Sequence, residues 1–175
     1  QRGESLFNSV SLKGAVVRAG NYGWNDGMQV SDLISDIRRD LAPNVDLTIG
    51  AIIRRVNGLL EIEVLHFDPL LALTQPGTTF DPVLKELDEV LFFSSVMSDI
   101  ATGPSASSRS ALLASVMMRL TSQATKTQPV QTVSISGAVR AAGEYPLMKD
   151  MTLEILFKLA GGPEDAAFLE NVELL

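Results

Sequence analysis

Residues Val133–Gly162, VSISGAVRAAGEYPLMKDMTLEILFKLAGG, read as one small unit: a strand, a glycine turn, a second short strand and an amphipathic helix. The same phrase stands earlier, at Val10–Ile37, VSLKGAVVRAGNYGWNDGMQVSDLISDI. Setting Gly14 against Gly137 gives an offset of 123 residues, which runs without a gap into the helix. Under it Val10, Ser11, Gly14, Ala15, Val16, Ala19, Gly20, Tyr22, Met28 and Leu33 all meet identical residues. This is an internal repeat, so the 175 residues divide into two small modules rather than one domain.

Working outward, Val30, Leu33, Ile34, Ile37 and Leu41 recur at helical spacing and predict one core-facing helix. In the second copy Leu153, Leu156, Phe157 and Ala160 keep that spacing, and Gly161-Gly162-Pro163 ends the helix. Gly20 and Gly143 stand between paired strands where a positive φ is often required, so they are predicted to share one backbone conformation. Asp46–Arg55 and Leu59–Phe67 read as strands joined through Asn57-Gly58, a hairpin signal. Asp68-Pro69 opens one helical turn over Leu70–Leu73, and Asp88–Phe93 is a last apolar strand. The order β-β-α-β-β, with a short helix before the final strand, is that of a β-grasp sheet crossed by one helix. Ser94–Ser110 is rich in Ser, Ala, Gly and Pro and reads as a linker. A connecting helix follows, with a stripe of Leu113, Val116, Met117, Leu120 and Ala124.

Composition narrows the function. An apolar fraction of 46% is enough for a buried core, and a formal net charge of −7 argues against a nucleic-acid binder. There is no cysteine, hence no disulfide, thiolate metal site or thiol nucleophile, and the redox compartment stays open. No apolar run approaches the roughly 20 residues that span a bilayer. The opening QRGESLFNSV has no signal-peptide core, and its abrupt start is expected of a piece of a longer protein.

The pattern G-x-V-x-x-x-G-x-Y-P-L-x-x-x-M-T-L, here Gly137 through Leu153, resembles the SLBB family of soluble ligand-binding β-grasp domains. The particular form is similar to the tandem SLBB modules of Gram-negative outer-membrane polysaccharide-export proteins. Copy one departs from it, with Gly23 where Pro146 stands and Gln29-Val30 where Thr152-Leu153 stand. The resemblance implies an α+β chain of two ubiquitin-like β-grasp modules, at 8–93 and 130–175, joined by a linker and helix at 94–129. The second module is incomplete. It implies a periplasmic location in a protein attached to the outer membrane, no cofactor, and non-catalytic work in subunit assembly and polysaccharide contact. The partners implied are further copies of the chain, polysaccharide and other export-machinery proteins. The family also includes small-ligand binders, so a module that captures cobalamin or an oligosaccharide is the alternative.

Several residues stand out. Trp24 has only Leu147 as its repeat counterpart, which makes it the aromatic candidate for a ligand contact; Arg18 and Arg140, each just before a turn, join it. Gly14, Gly20, Gly137 and Gly143 are assigned to structural turns, and Tyr22 and Tyr145, at one repeat position, to a shared structural role. Arg38-Arg39 and Arg54-Arg55 are weighed as contacts to an anionic polymer. His66 is the only histidine, and Glu61 with Glu63 share a strand face; neither set predicts a metal site or acid–base catalysis. Since module two ends after its helix, Leu153, Leu156 and Phe157 and a strand at Val172–Leu175 are expected to face water until another copy covers them.

Overall fold

Val10 and Leu12 alternate with polar neighbours along Ser9–Gly14 (β1), which turns back antiparallel on Gly20–Gly23 (β2). The computed structural model describes residues 8–56, 61–95 and 108–164. Two helical turns follow, Val30–Leu33 (α1) and Ile37–Asp40 (α2), then Val45–Arg55 (β3) and Ile62–Phe67 (β4). Asp68 caps Pro69–Thr74 (α3) by accepting from the Leu71 N–H, and Glu89–Ser94 (β5) slots between β1 and β3. The sheet is five-stranded, in the order β2-β1-β5-β3-β4, and mixed, because β1 and β5 run parallel. Arg109–Gln123 (α4) leads to a second hairpin, Thr132–Ile135 (β6) with Gly143–Pro146 (β7), and to Leu153–Leu159 (α5). The chain is α+β.

Both faces of the five-stranded sheet are apolar. On one, Val10, Leu12, Ile52, Phe67, Val90 and Phe92 pack with Val30, Leu33, Ala72 and Leu84. On the other, Ile49, Ala51, Ile53, Val64, Leu91 and Phe93 pack with Leu112, Val116 and Leu120 of α4 and with Ile135, Tyr145, Leu156 and Leu159 of the second copy. The second repeat therefore shares a core with the first repeat's sheet. Each Val, Leu, Ile or Phe side chain so buried contributes about 1.5–3 kcal/mol.

Three expectations change. Copy one has two four-residue helical turns in place of one helix, although Val30, Leu33, Ile34 and Leu41 are all buried. The break lies at Ile34–Asp36: the Asp36 carboxylate accepts from the Arg38 and Arg39 N–H groups, and that of Asp40 from Ser35 and Asp36. Side chains that bond nearby backbone compete with the helical ladder. In α4 the buried stripe is Leu112, Val116 and Leu120, with Met117 only half-buried. The α5 face is covered from within the chain: Leu156 and Leu159 are buried and Phe157 packs against the shared core, leaving Leu153 exposed. The Asn57-Gly58 turn, most of the Ser-rich stretch and Val172–Leu175 lie outside the described residues.

Candidate functional site

The two hairpins coincide bond for bond. Ser9, Val10, Ser11 and Leu12 pair with Gly23, Tyr22, Asn21 and Gly20, and Thr132, Val133, Ser134 and Ile135 pair with Pro146, Tyr145, Glu144 and Gly143. Gly20 and Gly143 have φ of 152° and 156°, and Gly14 and Gly137 have 96° and 98°, conformations that favour glycine. The Tyr22 hydroxyl donates to the Arg18 carbonyl at 2.7 Å and that of Tyr145 to Ala141 at 2.6 Å, each four residues back. Tyr145 is the buried one of the pair, and burial pushes its pKa up. Replacing Tyr145 with Phe is expected to lower stability by about 1 kcal/mol, and Tyr22→Phe by less, since its hydroxyl bond is exposed; urea denaturation reads both. The register slips only past the helix: Ala42 N–H meets the Ala15 carbonyl, but Glu164, not residue 165, meets Ala138. The single helix α5 thus takes one residue fewer than the broken pair α1 and α2.

The hairpins differ at their outer edges. In the first, β5 lies against β1, the Ala15 N–H donates to the Phe92 carbonyl at 2.7 Å, and Ala15 is buried. A Cβ added to Gly14 would lie 2.0 Å from that carbonyl oxygen. In the second, the equivalent Ser134, Ser136, Gly137 and Ala138 are exposed, and nothing lies within 4 Å of a Cβ added to Gly137. Among the described residues the β6 edge has no strand beside it.

Along the seam between the copies, β4's outer edge is closed by side chain and loop. The Gln123 amide accepts from the Ile62 N–H at 2.8 Å and donates to its carbonyl at 3.0 Å, and the Lys149 N–H donates to the Val64 carbonyl at 2.7 Å. Beside it is a cleft of about 680 Å³ lined by Glu61, Glu63, Gln128, Leu147, Met148 and Lys149 among others. Further along β4, beside α5, a cleft of about 330 Å³ holds His66, Asp68, Thr79, exposed Phe80, Thr152 and Glu154. Among the described residues no group of three or more His, Asp or Glu side chains is arranged to hold a metal.

The three candidate ligand residues are placed apart. Trp24 is half-buried against the first core, and its indole N–H donates to the Leu84 carbonyl at 3.0 Å, so its polar atom is already committed. Arg18 is exposed, 3.7 Å from Asp40, in a small cleft with Tyr22 and Arg39. The hydrogen bond from Arg39, with the Asp36 N–H, holds the Asp40 carboxyl down to about 2, leaving Arg18 a minor partner. Arg140 lies at the other copy's turn, its Nε donating to the Pro163 carbonyl at 3.3 Å. Of the paired arginines, Arg54 is spent on Asp88 at 2.6 Å, whereas Arg38 and Arg55 are exposed. Sequence reading missed Arg109, which lay inside the supposed linker, and the cross-strand group of Lys13, Glu89 and Arg119.

Among comparisons with known proteins, the family model for the SLBB domain matches residues 132–175. This is the copy that carries the fuller motif, and SLBB is a binding domain rather than a catalytic family. No curated protein matches the chain.

Proposed function

We propose that this chain is a non-catalytic part of a periplasmic protein, attached to the outer membrane, that exports capsular or extracellular polysaccharide. In this reading 8–93 and 130–175 are tandem β-grasp modules, 94–129 is their connection, and their work is to hold subunits together and contact the polymer. The observation that carries it is the SLBB match at 132–175, joined to a first hairpin of identical register. The β6 edge, which has no strand beside it among the described residues, supports assembly: its twin in copy one holds a parallel strand, so a strand from a second copy is the fitting occupant. Deleting the gene in its host is expected to abolish surface polysaccharide, with restoration by the wild-type gene. Normal surface polymer in the deletion strain overturns the reading.

The alternative, capture of a small ligand, draws on the cleft of about 330 Å³, where exposed Phe80 stands among threonine hydroxyls and carboxylates. That lining suits a short saccharide better than a corrinoid, which is larger than the cleft.

A further inference from the structure

The second face of the five-stranded sheet changes character along its width. Registers place Asn21, Ser11, Glu89, Ile53 and Val64 side by side on one rung. The β3 and β4 end of this face is apolar and covered by α4 and the second copy. At the β1 and β2 end it is polar and open, forming a cleft of about 360 Å³ lined by Ser9, Ser11, Lys13, Asn21, Arg55, Leu87 and Glu89.

Positive charge is concentrated there. Glu89 accepts from Lys13 Nζ at 2.6 Å and from Arg119 of α4 at 2.7 Å. Burial works against the Glu89 carboxylate, but these two cations outweigh it and hold its pKa below the usual range. Arg55 is exposed and, among the described residues, belongs to no ion pair. Among the groups that line the cleft, Lys13 and Arg55 against Glu89 leave an excess of one positive charge, in a chain whose net charge is −7, and Arg119 holds Glu89 from outside the lining. The adjacent arginines divide the labour: Arg54 is consumed by Asp88, and Arg55 is left available.

Leu87 adds a further sign. It is a non-glycine residue at φ 64°, a conformation a branched side chain adopts only under constraint, and its N–H is tied to the Ser9 carbonyl at 2.8 Å. The turn thus sets an apolar side chain among two hydroxyls, an amide, two cations and the Glu89 carboxylate.

We infer that this cleft binds carboxylate-bearing sugar units of an acidic polysaccharide. The guanidinium of Arg55 matches a carboxylate in bidentate fashion, Ser11 and Asn21 match sugar hydroxyls, and Leu87 meets the ring's apolar face. The inference rests on the polysaccharide reading above and specifies the charge of the polymer.

The test is titration of the full chain with oligogalacturonate and, separately, with a neutral dextran oligosaccharide, by calorimetry at physiological salt. Oligogalacturonate is expected to bind, Arg55→Glu to weaken it at least about tenfold, and Arg55→Lys to retain more affinity than Arg55→Glu. Arg38→Glu makes the same charge change at an exposed site away from the cleft, and is expected to alter affinity less than about twofold. Equal loss in Arg38→Glu, or full affinity in Arg55→Glu, overturns the site. Dextran binding as tight as oligogalacturonate removes the acid preference while leaving polysaccharide contact standing. Absence of binding to either removes the site, and the deletion phenotype then judges the export reading independently.

Discussion

Replacing Arg109 with alanine is expected to lower stability by about 3–5 kcal/mol, the cost of breaking a buried ionic network from one side. The side chain is 1% exposed and joins four elements. Its Nη1 donates to Asp46 at 2.8 Å and to the Ser94 carbonyl at 3.1 Å, at the start of β3 and the end of β5. Its Nη2 donates to the Lys158 and Leu159 carbonyls at 2.6 and 2.7 Å. Those are carbonyls of the last turn of α5, at the negative end of the helix dipole, and the Lys158 carbonyl also accepts from the Gly161 N–H. The guanidinium also lies 5.2 Å from the Phe93 ring centroid. Arg109→Lys is expected to recover only part of the loss, since one ammonium cannot reach four acceptors held in a planar fork. Urea denaturation supplies the stability, and hydrogen exchange at β6 and β7 tells whether the second hairpin loosens before the sheet. A loss under about 1 kcal/mol would place Arg109 among ordinary surface residues and refute the clasp.

How much of this was readable in advance depends on the kind of interaction. The hairpins were legible because a short antiparallel pair is specified by its own residues: the glycines, the tyrosine and the alternating apolar positions all lie within it. The break at Ile34–Asp36 was not, because hydrophobic spacing is blind to the carboxylates of Asp36 and Asp40, which take the backbone N–H groups. Burial of α5 on the first sheet had a signal that went unused. Ile49–Ile53 and Val90–Phe93 are nearly unbroken apolar runs, the mark of strands covered on both faces. Arg109 was hidden by its Ser- and Ala-rich surroundings, although Ser108 before Ala111 is a helix-capping arrangement. The cleft draws Lys13, Arg55 and Glu89 from three strands, and no spacing within one element announces such a group.

The two equivalent glycines allow the open edge to be tested by a matched pair of substitutions. Gly14→Ala and Gly137→Ala place the same methyl group at nearly the same φ, 96° and 98°, so the backbone strain of about 1–2 kcal/mol is common to both. Only Gly14→Ala adds a collision, with its Cβ at 2.0 Å from a backbone oxygen of β5 that has no room to withdraw inside the sheet. It is expected to cost more than about 4 kcal/mol or to prevent folding, while Gly137→Ala costs only the shared strain. Chemical denaturation of the two variants measures the difference. Equal losses would mean that the β6 edge is as tightly covered as β1, and the assembly argument built on its openness would fall. The same Gly137→Ala protein separates stability from association. If a strand of a second copy docks on β6 as β5 docks on β1, the new methyl group meets that strand's carbonyl and sedimentation should detect lost self-association in a protein that still folds. Self-association undiminished in Gly137→Ala would assign it to another surface.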